Sequence, residues 1–405
     1  MAEPKNTHDA PRRNKSVNQR RVPTALMVLG FIFVAGIGYV AGVINTGGYV
    51  STGFNALLGK QDLNTASLQA TYRALQDNFD GQLDTQKLIE GANKGLVDAA
   101  GDQYTVYMNA NESKEFNNSL TGNIGGGIGV EVGMRNAVPT AVRVLQNNPA
   151  EKAGLQINDN IIKVNDESTE NLTLDEVVSK IRGEAGTTVK LTVNRGGEEK
   201  EFNITRAEVN NPSAYGEVKD GVGVLTITRF DDNTASLARE VARSFKQQNV
   251  KAVVLDLRGN GGGYVTAAQA VAGIWLDNQL VTTERQNGRV TEELKSTGSP
   301  ILNGVPTVVL VNASSASASE IVAGALHDHK VARLMGETTF GKGSVQKLVN
   351  LSDGAMLKVT VARWFTPAGV NISEKGIAPD TEVKRTADDI NANRDPQLDA
   401  ALQSL

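Results

Sequence analysis

Hydrophobic and polar positions change their spacing several times along this chain, and each change marks a predicted element. After a polar, basic tail over 1–21, residues 22–44 form an uncharged and mostly apolar run. A helix of this length would extend ~34 Å, enough to cross a bilayer core of ~30 Å. The pattern therefore predicts a transmembrane anchor over 22–44, followed by a Gly-, Asn-, Thr- and Ser-rich linker over 45–61.

The spacing indicates four further regions beyond the linker. Apolar residues recur at helical intervals over 62–120, which predicts an N-terminal helical region. Short strands and Gly-rich turns follow over 121–208. Over 209–385, β-branched strands alternate with amphipathic helices, which predicts an α/β core. Residues 386–405 are predicted to form a helical tail, so the chain as a whole is expected to be an α+β multidomain protein.

The charge on either side of the apolar run predicts its orientation. Residues 1–21 carry a formal charge of +4, which leaves −8 on the rest of a chain whose total is −4. A basic flank predicts a cytoplasmic N-terminus, so the rest of the chain is expected outside the cytoplasmic membrane as a single-pass protein. A cleaved signal peptide is the alternative. The anchor is favoured because the run exceeds a usual signal-peptide core of about 7–15 residues and no clear Ala-x-Ala site follows it.

Composition narrows the chemistry that such a chain can perform. It has no cysteine, which excludes disulfides, thiol catalysis and Cys-ligated metal. The acidic part beyond residue 21 has no basic stripe, which argues against nucleic acid as a partner. His327 and His329 lie close together, but alternate residues on a helix diverge by about 200° and do not converge on one ion. No metal site is therefore predicted.

Two short runs indicate a reaction. The run 312–320, Asn-Ala-Ser-Ser-Ala-Ser-Ala-Ser-Glu, lies between a β-branched strand and an apolar helix. Such a turn exposes a hydroxyl and places backbone N–H groups at a helix start, where developing negative charge is favoured. The run 340–346, Phe-Gly-Lys-Gly-Ser-Val-Gln, holds Lys342 between two glycines. Together they form a candidate Ser–Lys dyad for acyl transfer, although composition alone does not choose among the serines.

A third run, 255–263, reads Leu-Asp-Leu-Arg-Gly-Asn-Gly-Gly-Gly after a predicted strand. Its glycines allow backbone N–H groups to approach a ligand closely. An oxyanion hole needs two donors, and one is expected from Gly262 or Gly263 and the other from Ala318. The alternatives are a plain βα turn or a nucleotide loop. The run that ends at Lys342 also approaches a phosphate-loop motif, but Gly343 stands where the Mg²⁺-binding Ser or Thr is required.

The order of motifs over 121–208 resembles a PDZ domain, a sandwich or barrel-like sheet with two helices. The resemblance rests on Gly-Gly-Gly-Ile-Gly-Val, Pro-Ala-x-x-Ala-Gly-Leu and Asn-Asp-x-Ile. A Gly-rich loop can hold a terminal carboxylate, and the following strand can pair with a peptide. A flexible glycine hinge is the alternative. The residues expected to bind a peptide C-terminus are Gly127, Ile128, Gly129 and Val130.

Taken together, these runs resemble the C-terminal processing peptidases, also called tail-specific proteases, from about residue 63 to 383. The resemblance implies an α/β serine-peptidase core with a PDZ domain. It implies that Ser317 is the nucleophile, Lys342 the general base and Gln346 the residue that orients the lysine. It also implies that the N–H groups of Ala318 and Gly262 stabilise the oxyanion, and that no cofactor is required.

The resemblance therefore implies a serine endopeptidase whose substrates are proteins or peptides with free apolar C-termini. The main alternative is a catalytically inactive, membrane-tethered PDZ scaffold, but the intact Ser317, Lys342 and Gln346 count against it. A third interpretation is an acyl-transfer enzyme for small molecules, which a PDZ domain disfavours. Whether the chain forms a homo-oligomer or needs an adaptor protein stays open, as does whether the PDZ domain inhibits or activates.

Overall fold

The computed structural model describes residues 63–405. The predicted basic tail, the membrane anchor at 22–44 and the linker at 45–61 lie outside these residues. Within the part that is described, no helix is both long enough and apolar enough to cross a bilayer. The first helix belongs to a unit separate from residues 86–405, and none of its side chains is buried.

Helices and strands of residues 63–405 are numbered here in chain order. The helices are α1 (Ala66–Asn78), α2 (Thr85–Asp98), α3 (Ala110–Thr121), α4 (Pro149–Ala153), α5 (Leu174–Ile181), α6 (Thr234–Gln247), α7 (Val265–Ala272), α8 (Ala318–Asp328), α9 (Ala387–Asn391) and α10 (Pro396–Gln403). The strands are β1 (Val106–Met108), β2 (Gly126–Gly127), β3 (Val130–Arg135), β4 (Val138–Val144), β5 (Asn160–Val164), β6 (Glu167–Ser168), β7 (Thr188–Arg195), β8 (Glu198–Thr205), β9 (Ala207–Glu208), β10 (Ala214–Lys219), β11 (Val222–Ile227), β12 (Ala252–Asp256), β13 (Leu280–Gln286), β14 (Arg289–Lys295), β15 (Thr307–Val311), β16 (Arg333–Gly336), β17 (Ser344–Asn350), β18 (Met356–Phe365) and β19 (Thr381–Glu382).

Residues 126–208 form a module around a six-stranded antiparallel sheet. The strand order is β3-β4-β5-β7-β8, and β6 pairs with β5. Strand β3 is therefore an edge strand with one side free of a partner strand. Helices α4 and α5 cover a core in which Ile128, Ile161, Val177 and Leu191 are buried. This arrangement has the two helices and the free strand edge that the motifs predicted.

A six-stranded sheet forms the centre of the α/β core. Its order is β10-β11-β12-β15-β16-β19, and all neighbours are parallel except β10 and β11. Because side chains alternate along a strand, Val309 and Val311 pack with α7 and α8, whereas Val308 and Leu310 pack with α10. Helices thus cover both faces, which explains why β15 is an uninterrupted apolar run.

A second, five-stranded antiparallel sheet adjoins this core. Its order is β1-β18-β13-β14, with β17 also pairing with β18. The strand β1 interrupts the region that the spacing predicted to be helical, and it pairs with residues some 250 positions later, as in Val106 opposite Lys358. Strand β14 is nearly all exposed, so it carries no apolar alternation from which it could have been predicted.

The predicted helical tail is observed as α9 and α10, and α10 is attached to the Gly-rich run. The Asp395 side chain accepts a hydrogen bond from the Leu398 N–H group at the start of α10. The same carboxylate is 2.7 Å from an Arg258 nitrogen, and Arg258 also pairs with Asp256 at the end of β12. The ion pairs therefore hold the first turn of α10 beside the loop that begins the Gly-rich run.

Candidate active site

The candidate nucleophile lies at the junction of β15 and α8. Ser317 has φ 54° and ψ −113°, a backbone conformation that residues other than glycine rarely adopt. Its N–H group donates to the Glu320 carboxylate at 2.8 Å, which holds this conformation. The Ser317 side chain is partly exposed and lines a large cavity. A strained turn before a helix thus presents one hydroxyl to open space.

The neighbouring serines have other roles. Ser315 and Ser319 are fully buried, and their hydroxyls donate to the carbonyls of Leu257 and Asn260, each at 2.8 Å. Ser314 is exposed and does not line the cavity. The structure therefore distinguishes serines that composition alone could not. Ser315 and Ser319 connect this turn to the Gly-rich run by hydrogen bonds.

The candidate base is carried by a loop with very close backbone approaches. A Cβ atom on Gly341 would lie 2.8 Å from the Gly376 nitrogen, and one on Gly343 would lie 2.6 Å from Ser373 Oγ. Contacts this short do not tolerate a side chain, and Gly341 also has φ +91°. The two glycines are thus needed for the path that leads the chain through Lys342.

The Lys342 side chain points into the same cavity as Ser317. The indole nitrogen of the buried Trp364 donates to the Lys342 carbonyl at 2.8 Å, which fixes the backbone. Lys342 Nζ lies 5.5 Å from the centre of the Tyr104 ring. Burial lowers the pKa of Lys342, and the positive charge of Lys358 lowers this pKa further. Both effects favour the neutral amine that a general base requires.

A buried carboxylate joins the two loops. Glu320 Oε1 accepts hydrogen bonds from Thr339 Oγ1 at 2.6 Å and from the Gly341 N–H group at 2.7 Å. Its Oε2 accepts from the N–H groups of Ser317 at 2.8 Å and Lys342 at 3.0 Å. Burial raises the pKa of Glu320, and the four donors oppose that rise. Glu320 was not predicted to have a role in the site, although a Glu three positions after a Ser at a helix start is a capping-box signal.

Gln346 does not contact the lysine in this structure. Its Nε2 donates to Ser344 Oγ at 2.8 Å and lies 3.4 Å from Thr360 Oγ1. Among the described residues, no hydrogen bond joins it to Lys342. Gln346 does line the cavity. The orienting contact implied by the family resemblance is therefore not formed here.

Gly262 lies against the Ser317 turn, but its N–H group is already used. A Cβ atom at this position would be 2.8 Å from Ser317 Cβ and 3.0 Å from the Ala318 nitrogen, and its φ is +102°. The Gly262 N–H donates to Asn260 Oδ1 at 2.9 Å. The expectation that Gly262 is an oxyanion donor thus conflicts with this structure, because that bond would have to break. Ala318 is the first residue of α8, so its N–H group lies directly after Ser317.

The cavity continues from the dyad to the PDZ-like module. Its volume is about 1780 Å³, and its lining includes the four predicted peptide-binding residues, Gly127 to Val130. Leu174 and Val178 of α5 form the wall opposite the edge strand β3. The Ile128 side chain is 1% exposed and packs inside the module. Ile128 can therefore offer only its backbone to a ligand.

The two neighbouring histidines bind different groups. His327 Nε2 lies 3.1 Å from Asp380 Oδ1, and His329 Nε2 lies 2.6 Å from the Leu280 carbonyl oxygen. Over residues 63–405, no group of three potential metal-ligating side chains comes together. The rings diverge, as the helical spacing predicted.

Comparisons with known proteins agree with this architecture. Family models match the sequence for Peptidase family S41 at 221–383, for a PDZ domain at 126–205, and for the N-terminal domain of the activating protease CtpB at 54–112.

Curated relatives match most of the chain. It is 38% identical over 318 residues to a probable CtpA-like serine protease of Staphylococcus haemolyticus (strain JCSC1435). These 318 residues cover 78% of this chain and 64% of that protein. It is 35% identical over 339 residues to the carboxy-terminal processing protease CtpA of Bacillus subtilis (strain 168), which covers 82% and 72%. The chain thus spans slightly less than two thirds of the staphylococcal relative's length.

A solved structure shares the fold. The photosystem II D1 C-terminal processing protease superposes with a TM-score of 0.50 and 28% identity, over 78% of this chain and 86% of that one.

Proposed function

Because the chain belongs to the family of carboxy-terminal processing proteases, we propose that it is a serine endopeptidase with a Ser317–Lys342 dyad that selects substrates by their C-terminal tails. One observation supports this proposal most directly. A strained serine at a helix start and a partly buried lysine line one cavity, and that cavity continues into the groove of a PDZ module. The arrangement would let a tail bind at one end while another part of the substrate reaches the dyad.

The proposed reaction begins with a neutral lysine. Lys342 Nζ takes the proton of Ser317 Oγ, which attacks a peptide carbonyl carbon. The Ala318 N–H group, at the positive end of α8, stabilises the oxyanion. Lys342 then gives the proton to the departing amine, and water hydrolyses the acyl-enzyme. A free lysine has a pKa of about 10.4, so under about 0.1% is neutral at pH 7. The lowered pKa of Lys342 increases the neutral fraction that can take the proton.

Over the described residues, no hydrogen bond joins Ser317 Oγ to Lys342 Nζ. Catalytic hydrogen bonds are often long without substrate and shorten when it binds. The Gly262 N–H group likewise donates to Asn260 Oδ1 in this structure and is not free to bind the oxyanion. A change that frees this donor would add a second hydrogen bond to the oxyanion.

Tail selection is assigned to the edge strand β3 and the loop before it. Backbone N–H groups over 127–130 would bind the terminal carboxylate, and β3 would pair with the last residues of the substrate. Residues 22–44 would hold this enzyme at the membrane with its catalytic part outside, as the apolar run and its basic flank predict.

Replacing Ser317 with alanine tests the dyad. We expect Ser317→Ala to lower casein cleavage at least about 10³-fold, because the variant lacks the hydroxyl that attacks the substrate. A fluorophosphonate should label the wild-type protein at Ser317, as mapped by mass spectrometry. The exposed Ser314 provides the matched control, and Ser314→Ala should keep normal turnover. Cleavage by Ser317→Ala would refute the proposal, and an unlabelled, inactive wild-type protein would favour the scaffold alternative.

Amidating the substrate tail tests selection by the PDZ module. A peptide with an amidated, apolar C-terminus should be cleaved about tenfold or more slowly than its free acid at limiting concentration, because charge-assisted hydrogen bonds to the carboxylate are lost. A small ester that has no peptide tail serves as the control. Its hydrolysis should be the same whether the amidated or the free-acid peptide is present at this limiting concentration. Equal cleavage of the two peptides would exclude tail selection and leave the peptidase assignment intact. Ile128→Asp is unsuitable as a test, since Ile128 is a core residue.

A further inference from the structure

A second lysine shares the cavity with the proposed dyad. Lys358 lies on β18, opposite Val106 of β1 and Leu348 of β17. Its side chain is half-buried and lines the same cavity as Ser317 and Lys342. The proposed reaction does not use it, and neither its burial nor its position on a central strand suits a lysine that serves only solubility.

The strand holds Lys358 on the side that faces the lysine loop. Lys358 and Thr360 are two positions apart in a regular stretch of β18, so their side chains share one face of the sheet. Thr360 Oγ1 lies 3.4 Å from Gln346 Nε2, four residues beyond Lys342. The backbone N–H of Thr360 donates to Thr105 Oγ1. Lys358 is therefore held by three strands rather than by a mobile loop.

Burial lowers the pKa of Lys358, whereas an aromatic ring and one acidic group nearby favour its charged form. Its Nζ lies 5.6 Å from the centre of the Phe116 ring, a cation–π distance. The acidic group that acts on it is Asp102, whose carboxylate also accepts hydrogen bonds from Thr105 Oγ1 at 2.5 Å and the Tyr104 N–H group at 3.3 Å. Among the described residues, no carboxylate lies within ion-pair distance of Lys358 Nζ.

Other charged groups also act on Lys342. The negative charge of Glu320 on α8 raises the pKa of Lys342, and it acts more weakly than the positive charge of Lys358. Glu115 lines the cavity from α3, and Tyr104 faces Lys342 with its ring. Two ammonium groups in one partly buried cavity repel each other, because less water screens them than at an exposed surface.

We propose that Lys358 is a positioning residue of the active site, whose ammonium charge repels a proton on Lys342 and keeps that residue in the neutral form needed to activate Ser317. This inference rests on the proposed Ser317–Lys342 dyad. It adds a role for β18, which carries this positive charge to the base, and for β1, which pairs with β18 at Lys358. Burial and the charge of Lys358 act on Lys342 in the same direction.

The pH dependence of fluorophosphonate labelling measures this effect on the full chain. In that reaction Ser317 Oγ bonds to phosphorus, fluoride leaves, and the serine proton goes to Lys342. The wild-type rate should rise with pH as Lys342 loses its proton. In Lys358→Met, the missing charge should raise the half-point by about one pH unit. The labelling rate below the half-point should fall about tenfold in consequence, while the rate at high pH should match the wild type.

Conservative and neighbouring variants provide the controls. Lys358→Arg keeps the charge and should retain the wild-type half-point. Lys347→Met removes an exposed lysine from the adjacent strand β17 and should change neither the rate nor the half-point. Lys358→Gln replaces Lys358→Met if thermal unfolding shows that the methionine variant is not folded.

The outcomes separate this inference from the proposed function. An unchanged half-point in Lys358→Met, or an equal loss of rate at every pH, would overturn the role of Lys358 and leave the dyad standing. A shifted half-point in Lys358→Arg would also overturn it, because the charge is retained. Failure of the wild-type protein to be labelled at Ser317, or normal labelling of Lys342→Ala, would instead overturn the dyad itself.

Discussion

Lys342→Arg should abolish proteolysis while leaving the protein folded. A guanidinium does not lose its proton in the accessible pH range, so it cannot accept one from Ser317. Turnover of casein or of a tail-bearing peptide should therefore fall at least about 10³-fold. Lys342→Met should be equally inactive, since it has no base at all. The arginine variant separates the need for a base from the need for a positive charge.

The pH dependence of the wild-type protein provides a second measurement on the same residue. Burial lowers the pKa of Lys342, so activity should rise with pH through a value below that of a free lysine. The same shift means that the folded state disfavours the protonated lysine. Lys342→Met should therefore raise the melting temperature at neutral pH, and this gain should shrink as the pH rises towards the pKa of an unfolded lysine.

Lys347→Arg, at an exposed position on β17, provides the control for Lys342→Arg. It should have wild-type turnover and wild-type stability. Normal turnover by Lys342→Arg at any pH would show that Lys342 is not the base.

Glu320→Gln should lower both stability and activity, although Glu320 is buried away from the cavity. The carboxylate accepts four hydrogen bonds, two on each oxygen. An amide would turn one of these oxygens into an NH₂ group that faces two other donors. We expect the free energy of unfolding to fall by roughly 2–4 kcal/mol. Turnover should fall at least about 10²-fold, because the Ser317 and Lys342 loops would separate.

Thr339→Val provides a graded comparison for Glu320→Gln. It removes one of the four hydrogen bonds to Glu320 and also the acceptor of the Ile377 N–H group. It should reduce the free energy of unfolding by roughly 1–2 kcal/mol. Urea unfolding and turnover should be measured on both variants under conditions where each remains folded. If Glu320→Gln kept wild-type stability and turnover, the carboxylate would not be what holds the two loops together.

Local patterns along the chain were sufficient to predict the elements that carry the candidate site. The strand β15 is buried on both faces, so it appears as an unbroken apolar run, and the small residues after it mark the turn into α8. The glycines on both sides of Lys342 are a local signal too, because the backbone path there excludes a Cβ atom. The motifs of the PDZ module likewise lie within one continuous stretch of sequence.

The roles of individual polar groups required the tertiary structure, because the sequence does not show which partner each group binds. The hydroxyls of Ser315 and Ser319 bind carbonyls almost 60 positions earlier, which leaves Ser317 to face the cavity. The Gly262 N–H group donates to Asn260 Oδ1, and the number of glycines in this run does not show which N–H groups are free to bind a ligand. Gln346 is placed beside Thr360 rather than Lys342 by the pairing of β17 with β18.

The sequence by itself determined the α+β architecture, the order of the main regions and the two loops that could hold a serine and a lysine. These features depend on hydrophobic periodicity and on glycine, which act over a few residues. Only the tertiary structure decided that Glu320 joins those loops, that Tyr104 lies beside Lys342, and that β18 brings Lys358 to the cavity. A carboxylate or an ammonium group acts on whatever the fold places within a few ångströms, and a linear pattern does not contain that distance.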